Sequence, residues 1–235
     1  MMIGVLLAAG ASTRMGRAKA LAKTGSESFV AHGIRNLWCA CDTVVVVLGA
    51  DAARIRKRTE EEFVRLVETG CFEREPHTAR RHRAQKLEMR FAVNRGWKKG
   101  MYSSVRAGLA AAGRLGPEAV LVLPVDHPAV RPGTVLDLAI VMAQALYAAR
   151  GRRAARLRQA PGRESRRPGL SYALVPRFRG RRGHPVVLSA PLARAIAKDA
   201  GAENLSDAVR RNARLVGYLD VRDPGVMRNV NRPGD

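Results

Sequence analysis

The sequence predicts an α/β fold, a three-layer sandwich in which helices cover both faces of a mostly parallel β-sheet. The first observation is that strand-like and helix-like segments alternate along the chain, as they do in parallel sheets with covering helices. The second is that TVVVVLG (residues 43–49) and AVLVLPVD (residues 119–126) are nearly continuous apolar runs, which is typical of strands buried on both faces. Hydrophobic residues make up 46% of the 235 residues, enough for a packed aliphatic core.

Each element follows from its local pattern. The opening run MIGVLLAA is apolar and ends at a glycine, so it is expected to form the first strand. Ser103 is expected to cap the first turn of a helix that runs to residue 112. The predicted strands are residues 2–9, 43–49, 90–94, 119–126, 170–176, 184–189 and 215–221, and the predicted helices are residues 28–39, 52–67, 103–112, 134–149, 191–198 and 204–211.

The chain is expected to form one domain over residues 1–235, because no stretch has the composition of a linker. Two segments, near residues 70–86 and 150–168, are polar and basic and lack a clean periodicity, so they are expected to be loop insertions. The sequence contains no run of 18 or more apolar residues, and no basic region precedes the first apolar segment. A cytoplasmic protein without a membrane partner is therefore expected.

The chain is strongly basic. It has 42 lysines and arginines against 20 acids, a formal charge of +22, so its field attracts polyanions. Residues 150–182 contain twelve arginines and one acid, Glu164, either as a solvated loop or as a rim that collects phosphates. Because stacking aromatic residues are not interleaved with these arginines, nucleic-acid binding is expected to be non-specific if it occurs.

The first candidate site is the segment LLAAGASTRMGRAK (residues 6–19), which follows the opening strand. Open α/β folds bind ligands at the carboxyl edge of the sheet, where this loop is expected to lie. Its glycines, Gly10 and Gly16, fit neither G-x-G-x-x-G nor the spacing of the P-loop. Gly10 would allow a close approach to the backbone, and Arg14 and Lys19 bring two cations. An ordinary turn with surface cations is the alternative.

Five motifs, in order, resemble those of one family. They are LAAGASTRMGRAKAL (residues 7–21), WKKGMYSSVRAGL (97–109), LVLPVDHPAV (121–130), FRGRRGHPVVLS (178–189) and DPGVMRNVNRPGD (223–235). Together they resemble the nucleotidyltransferases with a glycosyltransferase-A-like fold, in the MobA-like group that contains molybdenum cofactor cytidylyltransferase. The resemblance implies a single, Rossmann-like nucleotidyltransferase domain.

The resemblance implies a magnesium-dependent transfer of CMP from CTP to the phosphate of molybdenum cofactor, with release of pyrophosphate. LAAG in the first loop and GMYSSVR in the second favour CTP over GTP. It also implies a delivery contact with a molybdoenzyme or its chaperone. Transfer to a sugar phosphate or an alditol phosphate is one alternative, and a degenerate module that only binds a nucleotide or cofactor is another.

The resemblance also assigns roles to residues of this chain. Arg14 is expected to hold the β- and γ-phosphates, Lys19 the α-phosphate, and Asp126 and Asn231 the Mg²⁺ ion, whose preferred ligands are oxygens. Gly183, His184 and Pro185 are assigned to the acceptor, although a tight turn is an alternative for them. The residues assigned to the nucleotide are Leu7, Ala8, Ala9, Gly10, Ser12, Thr13, Arg14, Lys19, Gly100, Ser103 and Ser104.

Overall fold

The computed structural model describes residues 1–10, 18–68, 88–159 and 170–230, with the backbone alone for residues 153–159. The strands are β1 Met2–Leu7, β2 Lys23–Thr24, β3 Glu27–Ser28, β4 Thr43–Leu48, β5 Glu88–Val93, β6 Ala119–Pro124, β7 Tyr172–Phe178, β8 Arg181–Arg182, β9 Val186–Ser189 and β10 Leu215–Asp220. The helices are α1 Phe29–Trp38, α2 Ala52–Glu68, α3 Met101–Gly113, α4 Pro132–Gln159, α5 Ala190–Lys198 and α6 Leu205–Asn212. Short 3₁₀ helices lie at Lys19–Leu21, Trp97–Lys99 and Pro224–Val226.

The main sheet has the strand order β10-β7-β9-β6-β1-β4-β5, with β8 paired to β7. Strands β6, β1, β4 and β5 are parallel neighbours, and β10 is parallel to β7. Strand β9 runs antiparallel to both of its neighbours, β6 and β7. The sheet is thus mostly parallel, and the predicted fold class is confirmed.

Helices cover both faces of the sheet because the side chains of each strand alternate between the two faces. On one face Leu6 and Ala8 belong to a buried cluster that includes side chains of α1 and α4. On the other face Ile3, Val5 and Leu7 belong to a second cluster, with side chains of α3, α5 and α6. The carboxyl ends of β1 and β6 therefore lie between two packed helical layers.

Three local expectations differ from the structure. Helix α3 begins at Met101 with Gly100 as its N-cap residue, so Ser103 lies in the first turn and is not the cap. Strand β6 ends at Pro124, which leaves Asp126 in the loop that follows it. Helix α4 continues to Gln159, so residues 150–159 are helical and not part of a loop, and the rest of that expected insertion lies outside the described residues. The other expected insertion, near residues 70–86, lies outside the described residues.

The segment Pro132–Arg152 of α4 is long and apolar enough to cross a membrane, by length and composition alone. Val135, Leu138 and Met142 of this segment are fully buried in the cluster beside β1 and β6. The side of α4 that carries these three residues packs into the core. That the protein has no membrane partner stays a prediction.

Candidate active site

A cavity of about 400 Å³ opens at the carboxyl ends of β1 and β6. One wall is the backbone that leaves β1, residues 7–10, and the opposite wall is the start of α3. Lys19 and Asp126 also line the cavity. This is the edge at which open α/β sheets bind their ligands, because strand ends and helix N-termini converge there.

Lys19 and Asp126 form the charged centre of this cavity. The ammonium Nζ of Lys19 donates to Oδ2 of Asp126 at 3.2 Å. Strands β1 and β6 are parallel neighbours, so the loops that carry the two side chains leave the same edge of the sheet. A cation and an acid 107 positions apart in the sequence are thereby brought into contact.

The other carboxylate oxygen of Asp126 fits the metal that the family implies. Asp126 is 8% exposed, and its Oδ1 atom is buried without a hydrogen-bond partner among the described residues. A carboxylate oxygen is the ligand type that Mg²⁺ prefers, with phosphates and waters completing the shell. The backbone N–H of Val230 donates to the carbonyl of Asp126 at 2.9 Å. The other expected ligand, Asn231, lies outside the described residues.

The structure brings together most of the described residues that were assigned to the nucleotide. Leu7, Ala8, Ala9, Gly10, Lys19, Gly100 and Ser104 all line the cavity. Ser103 is not among its lining residues; the Ser103 hydroxyl donates to the carbonyl of Gly100 at 2.7 Å and holds the entry to α3. Ser12, Thr13 and Arg14 lie outside the described residues, so their roles stay predictions.

Trp97 and Lys98 also line the cavity, although the sequence argument did not assign them. Trp97 packs closely against Gly49 in the loop after β4. A Cβ added at Gly49 would lie only 2.7 Å from the Cβ of Trp97. The ammonium of Lys98 is 5.7 Å from the centre of the indole ring. The sequence feature that could have identified them is their place at the start of the second motif, WKKGMYSSVRAGL.

Asn94 is a further residue near the first cavity that the sequence argument did not assign. It is 8% exposed at the end of β5, and its amide nitrogen donates to Oγ of Ser103 at 2.8 Å and to Oγ of Ser104 at 3.0 Å. Its amide oxygen accepts from the N–H of Gly96 at 2.9 Å. Asn94 therefore ties the strand end to the first turn of α3.

A second cavity, of about 590 Å³, adjoins the first and shares Leu7, Met101 and Pro124 with it. Gly183 and His184 line this cavity, whereas Pro185 is not among its lining residues. The N–H of His184 donates to the carbonyl of Val226 at 2.9 Å, which fixes this loop. The expected acceptor loop thus lies beside the expected nucleotide site.

Two histidines lie near Asp126: Nε2 of His127 is 3.9 Å from Oδ1 of Asp126, and His184 lines the second cavity. The rings of His127 and His184 have their centroids 4.9 Å apart. Burial lowers the pKa of His184 to about 4, with a further lowering by His127. Burial also lowers the pKa of His127, against the opposing effect of Asp126. Both imidazoles are therefore expected to be neutral at pH 7, which suits hydrogen bonding to a substrate.

The chain is similar to known proteins in sequence and in fold. The chain is 31% identical to the nicotine blue oxidoreductase of Paenarthrobacter nicotinovorans over 236 residues, covering 97% of this chain and 91% of that protein. A nucleotidyl transferase from Methanothermobacter has a similar fold, with a TM-score of 0.65, 18% identity and coverage of 99% and 92% of the two chains.

The molybdopterin-guanine dinucleotide biosynthesis protein A of Archaeoglobus fulgidus is also similar in fold. Its TM-score is 0.51 at 16% identity, with coverage of 99% of this chain and 93% of that chain. The family model described as the MobA-like NTP transferase domain matches residues 4–215. Residues of the first four motifs line the two cavities. Because the family match covers most of the chain, the protein belongs to the MobA-like NTP transferase family.

Proposed function

We propose that this protein transfers CMP from CTP to the phosphate of a molybdopterin-type acceptor and releases pyrophosphate, with Mg²⁺ as the metal. The observation that carries the proposal is the contact between Lys19 and Asp126 in a cavity that opens into a second one. Two adjoining cavities with a cation and a metal-binding oxygen at one of them suit a reaction between two phosphate compounds.

The chemistry requires charge neutralisation more than proton transfer. The attacking phosphate oxygen of the acceptor is already ionised at neutral pH, so it needs no general base. It forms a bond to the α-phosphorus of the triphosphate, and the bond to the departing pyrophosphate breaks. In this proposal Lys19 donates hydrogen bonds to the α-phosphate oxygens, whose charge changes in the transition state.

A bound metal at Oδ1 of Asp126 would neutralise phosphate charge and orient the triphosphate. The start of α3, at Gly100 and Ser104, supplies the positive end of a helix dipole to an anion in the same cavity. Arg14 remains assigned to the leaving pyrophosphate. Neutral His184 and the backbone of Gly183 are assigned to the acceptor, without a role in proton transfer.

The preference for CTP is part of the proposal and rests on LAAG in the first loop and GMYSSVR in the second. Its test is pyrophosphate release from CTP, GTP, ATP and UTP, each with molybdenum cofactor and Mg²⁺, and with EDTA as the metal-free control. Release is expected from CTP when acceptor and metal are both present. Tight nucleotide binding by calorimetry without turnover would instead support a binding module.

A second candidate function is an oxidoreductase, because the nicotine blue oxidoreductase is 31% identical over 97% of this chain. Two assays on the same protein preparation, one for oxidoreduction and one for pyrophosphate release, distinguish the two candidate functions. Consumption of NADH or NADPH with an aromatic acceptor, without pyrophosphate release from any nucleotide, would favour the oxidoreductase. Sugar-phosphate transfer, the remaining alternative, is tested by replacing molybdenum cofactor with glucose 1-phosphate.

A further inference from the structure

The second cavity has a predominantly apolar middle. Its wall contains side chains from β7, β9, β10 and α6: Val175, Val186, Leu205, Val209 and Val216. Tyr102 also lines it, but the Tyr102 hydroxyl already donates to the carbonyl of Asp199 at 2.9 Å. That residue therefore offers mainly its ring to a ligand. A ligand with many hydroxyl groups would leave them without partners along this wall, which is costly.

The cavity is elongated across the sheet. Leu7 of β1 lines one end of it, and Tyr218 of β10 lines the other. The strand order β1-β6-β9-β7-β10 places four strand spacings between these two residues. Because neighbouring strands lie about 4.8 Å apart, the lining residues span about 19 Å. A ligand whose phosphate lies near Asp126 therefore has room for a long body.

The far end carries a cationic and aromatic group. The ring of Tyr218 lies 4.9 Å from the guanidinium of Arg177 and 5.1 Å from that of Arg182. Arg177 donates twice to the carboxylate of Asp220, at 3.0 and 2.8 Å. Arg182 lines the cavity, and no carboxylate of the described residues pairs with it. Arg210 also lines the cavity, but its guanidinium pairs with Asp207 at 2.5 Å. Among the described residues, Arg182 is thus the lining arginine with charge left for a ligand.

We propose that the second cavity binds an elongated phosphate monoester with a flat apolar body and a second anionic group, which Arg182 receives beside Tyr218. The assignment of the reacting phosphate to the other end rests on the proposed nucleotidyl transfer. A planar body packs against the valines and the ring of Tyr102, and the guanidinium of Arg182 is held by its stacking on Tyr218.

The test measures binding to the full-length protein by calorimetry, with three probes. They are 2-naphthyl phosphate, 6-carboxy-2-naphthyl phosphate, which adds the distal carboxylate, and glucose 1-phosphate. The expected order is the carboxylated ester first, the plain ester about tenfold weaker, and the sugar phosphate weakest. Equal or tighter binding of glucose 1-phosphate, or no binding of either naphthyl ester, would overturn the proposal.

A matched pair of variants tests Arg182 itself. Arg181 precedes it on β8, is similarly exposed, and is not among the lining residues of the cavity. Arg182→Ala is expected to abolish the gain from the carboxylate and to leave the affinity for 2-naphthyl phosphate within about twofold. Arg181→Ala is expected to keep the gain. Equal loss in both variants, or in neither, would contradict the role of Arg182.

These binding measurements are independent of turnover. If the naphthyl esters bind as expected but no nucleotide yields pyrophosphate, the proposed function fails and the description of the cavity stands. If pyrophosphate is released from CTP with molybdenum cofactor but the probes follow the reverse order, the proposed function stands and this inference fails.

Discussion

The two carboxylate oxygens of Asp126 have different surroundings. Oδ2 accepts from Lys19, whereas Oδ1 is buried without a hydrogen-bond partner among the described residues and lies 3.9 Å from Nε2 of His127. Lys19 in turn offsets the charge of a carboxylate that is 8% exposed. A bound nucleotide and its metal would replace this ion pair, because Lys19 would then contact the α-phosphate and Asp126 the metal. Substitution of either residue is therefore predicted to impair the same reaction step.

Lys19→Ala and Asp126→Ala are each predicted to lower kcat/KM for pyrophosphate release by about a hundredfold, as expected for groups that meet transition-state charge. The control is Lys23→Ala, because Lys23 is exposed on β2 and does not line the cavity. A loss smaller than about tenfold in either site variant would contradict the assigned roles.

Lys98 is predicted to bind the triphosphate, since it lines the nucleotide cavity beside Trp97. Lys98→Ala is expected to raise the KM for the nucleotide by about fivefold to tenfold with a smaller change in kcat, because an exposed cation gives mainly binding energy. Lys99→Ala is the matched control, as Lys99 is the exposed neighbour that does not line the cavity. Equal effects of the two substitutions would contradict a specific role.

His184 gives a prediction about pH. Its pKa is about 4 in the folded protein against 6.5 ordinarily, so between these values the unfolded chain binds a proton that the folded chain does not. Stability is therefore expected to fall as the pH drops from 6.5 toward 4. His184→Asn should make this fall shallower in urea unfolding. Parallel pH profiles for the two proteins would contradict the prediction; burial of His127 accounts for part of the remaining slope.

At the scale of elements, three chain segments meet at the first cavity and contact one another. The N–H of Ala50 donates to the carbonyl of Ala9 at 3.1 Å, which ties the loop after β4 to the loop after β1. Trp97 packs against the same place, and Asn94 fixes the start of α3. The position of α3 relative to the first loop therefore depends on the close approach at Gly49.

Gly49→Ala is predicted to reduce the free energy of unfolding by about 1–3 kcal/mol, the usual cost of overpacking. The added Cβ would lie 2.5 Å from the carbonyl oxygen of Ala9, and the same contact should weaken nucleotide binding. Gly113→Ala is the control, because a Cβ there meets nothing within 4 Å. Urea unfolding and nucleotide calorimetry measure both effects. Unchanged stability in Gly49→Ala would show that the loops move apart freely.

At the scale of the whole molecule, the formal charge of +22 acts on any polyanion. It raises the local concentration of nucleotides and phosphate esters, and it also attracts nucleic acids without reading their sequence. The second cavity, which is largely apolar, lies within a strongly basic protein. An anionic ligand with an apolar body, as proposed, would be attracted by the charge and selected by the cavity wall.

Duplex DNA is predicted to bind this protein without sequence preference and to dissociate as salt increases, by about 10³-fold between 50 and 200 mM if six or more phosphates are contacted. Fluorescence anisotropy with two unrelated duplexes of equal length measures this. Strong preference for one duplex, or binding that persists at high salt, would contradict the prediction of non-specific attraction.

Much of the fold was predictable from local patterns. The alternation of apolar strands and amphipathic helices indicated the α/β class, because each buried strand needs an apolar run and each covering helix an apolar side. The ends of elements were less predictable: α3 begins at Met101, directly after Gly100, and the φ of 96° at Gly100 is a conformation that the serine pattern does not reveal. Helix α4 also extends further than its alanine-rich centre.

The sequence by itself determined the fold class, the family and the chemical types at the site, because ordered motifs carry Lys19, Asp126 and the G-H-P loop. Only the tertiary structure decided which of these residues meet. The parallel pairing of β1 with β6 joins Lys19 to Asp126, and packing at Gly49 brings Trp97 and Lys98 to the cavity. The second, largely apolar cavity is lined by residues of six strands and of α3 and α6, so no single segment of the sequence contains it.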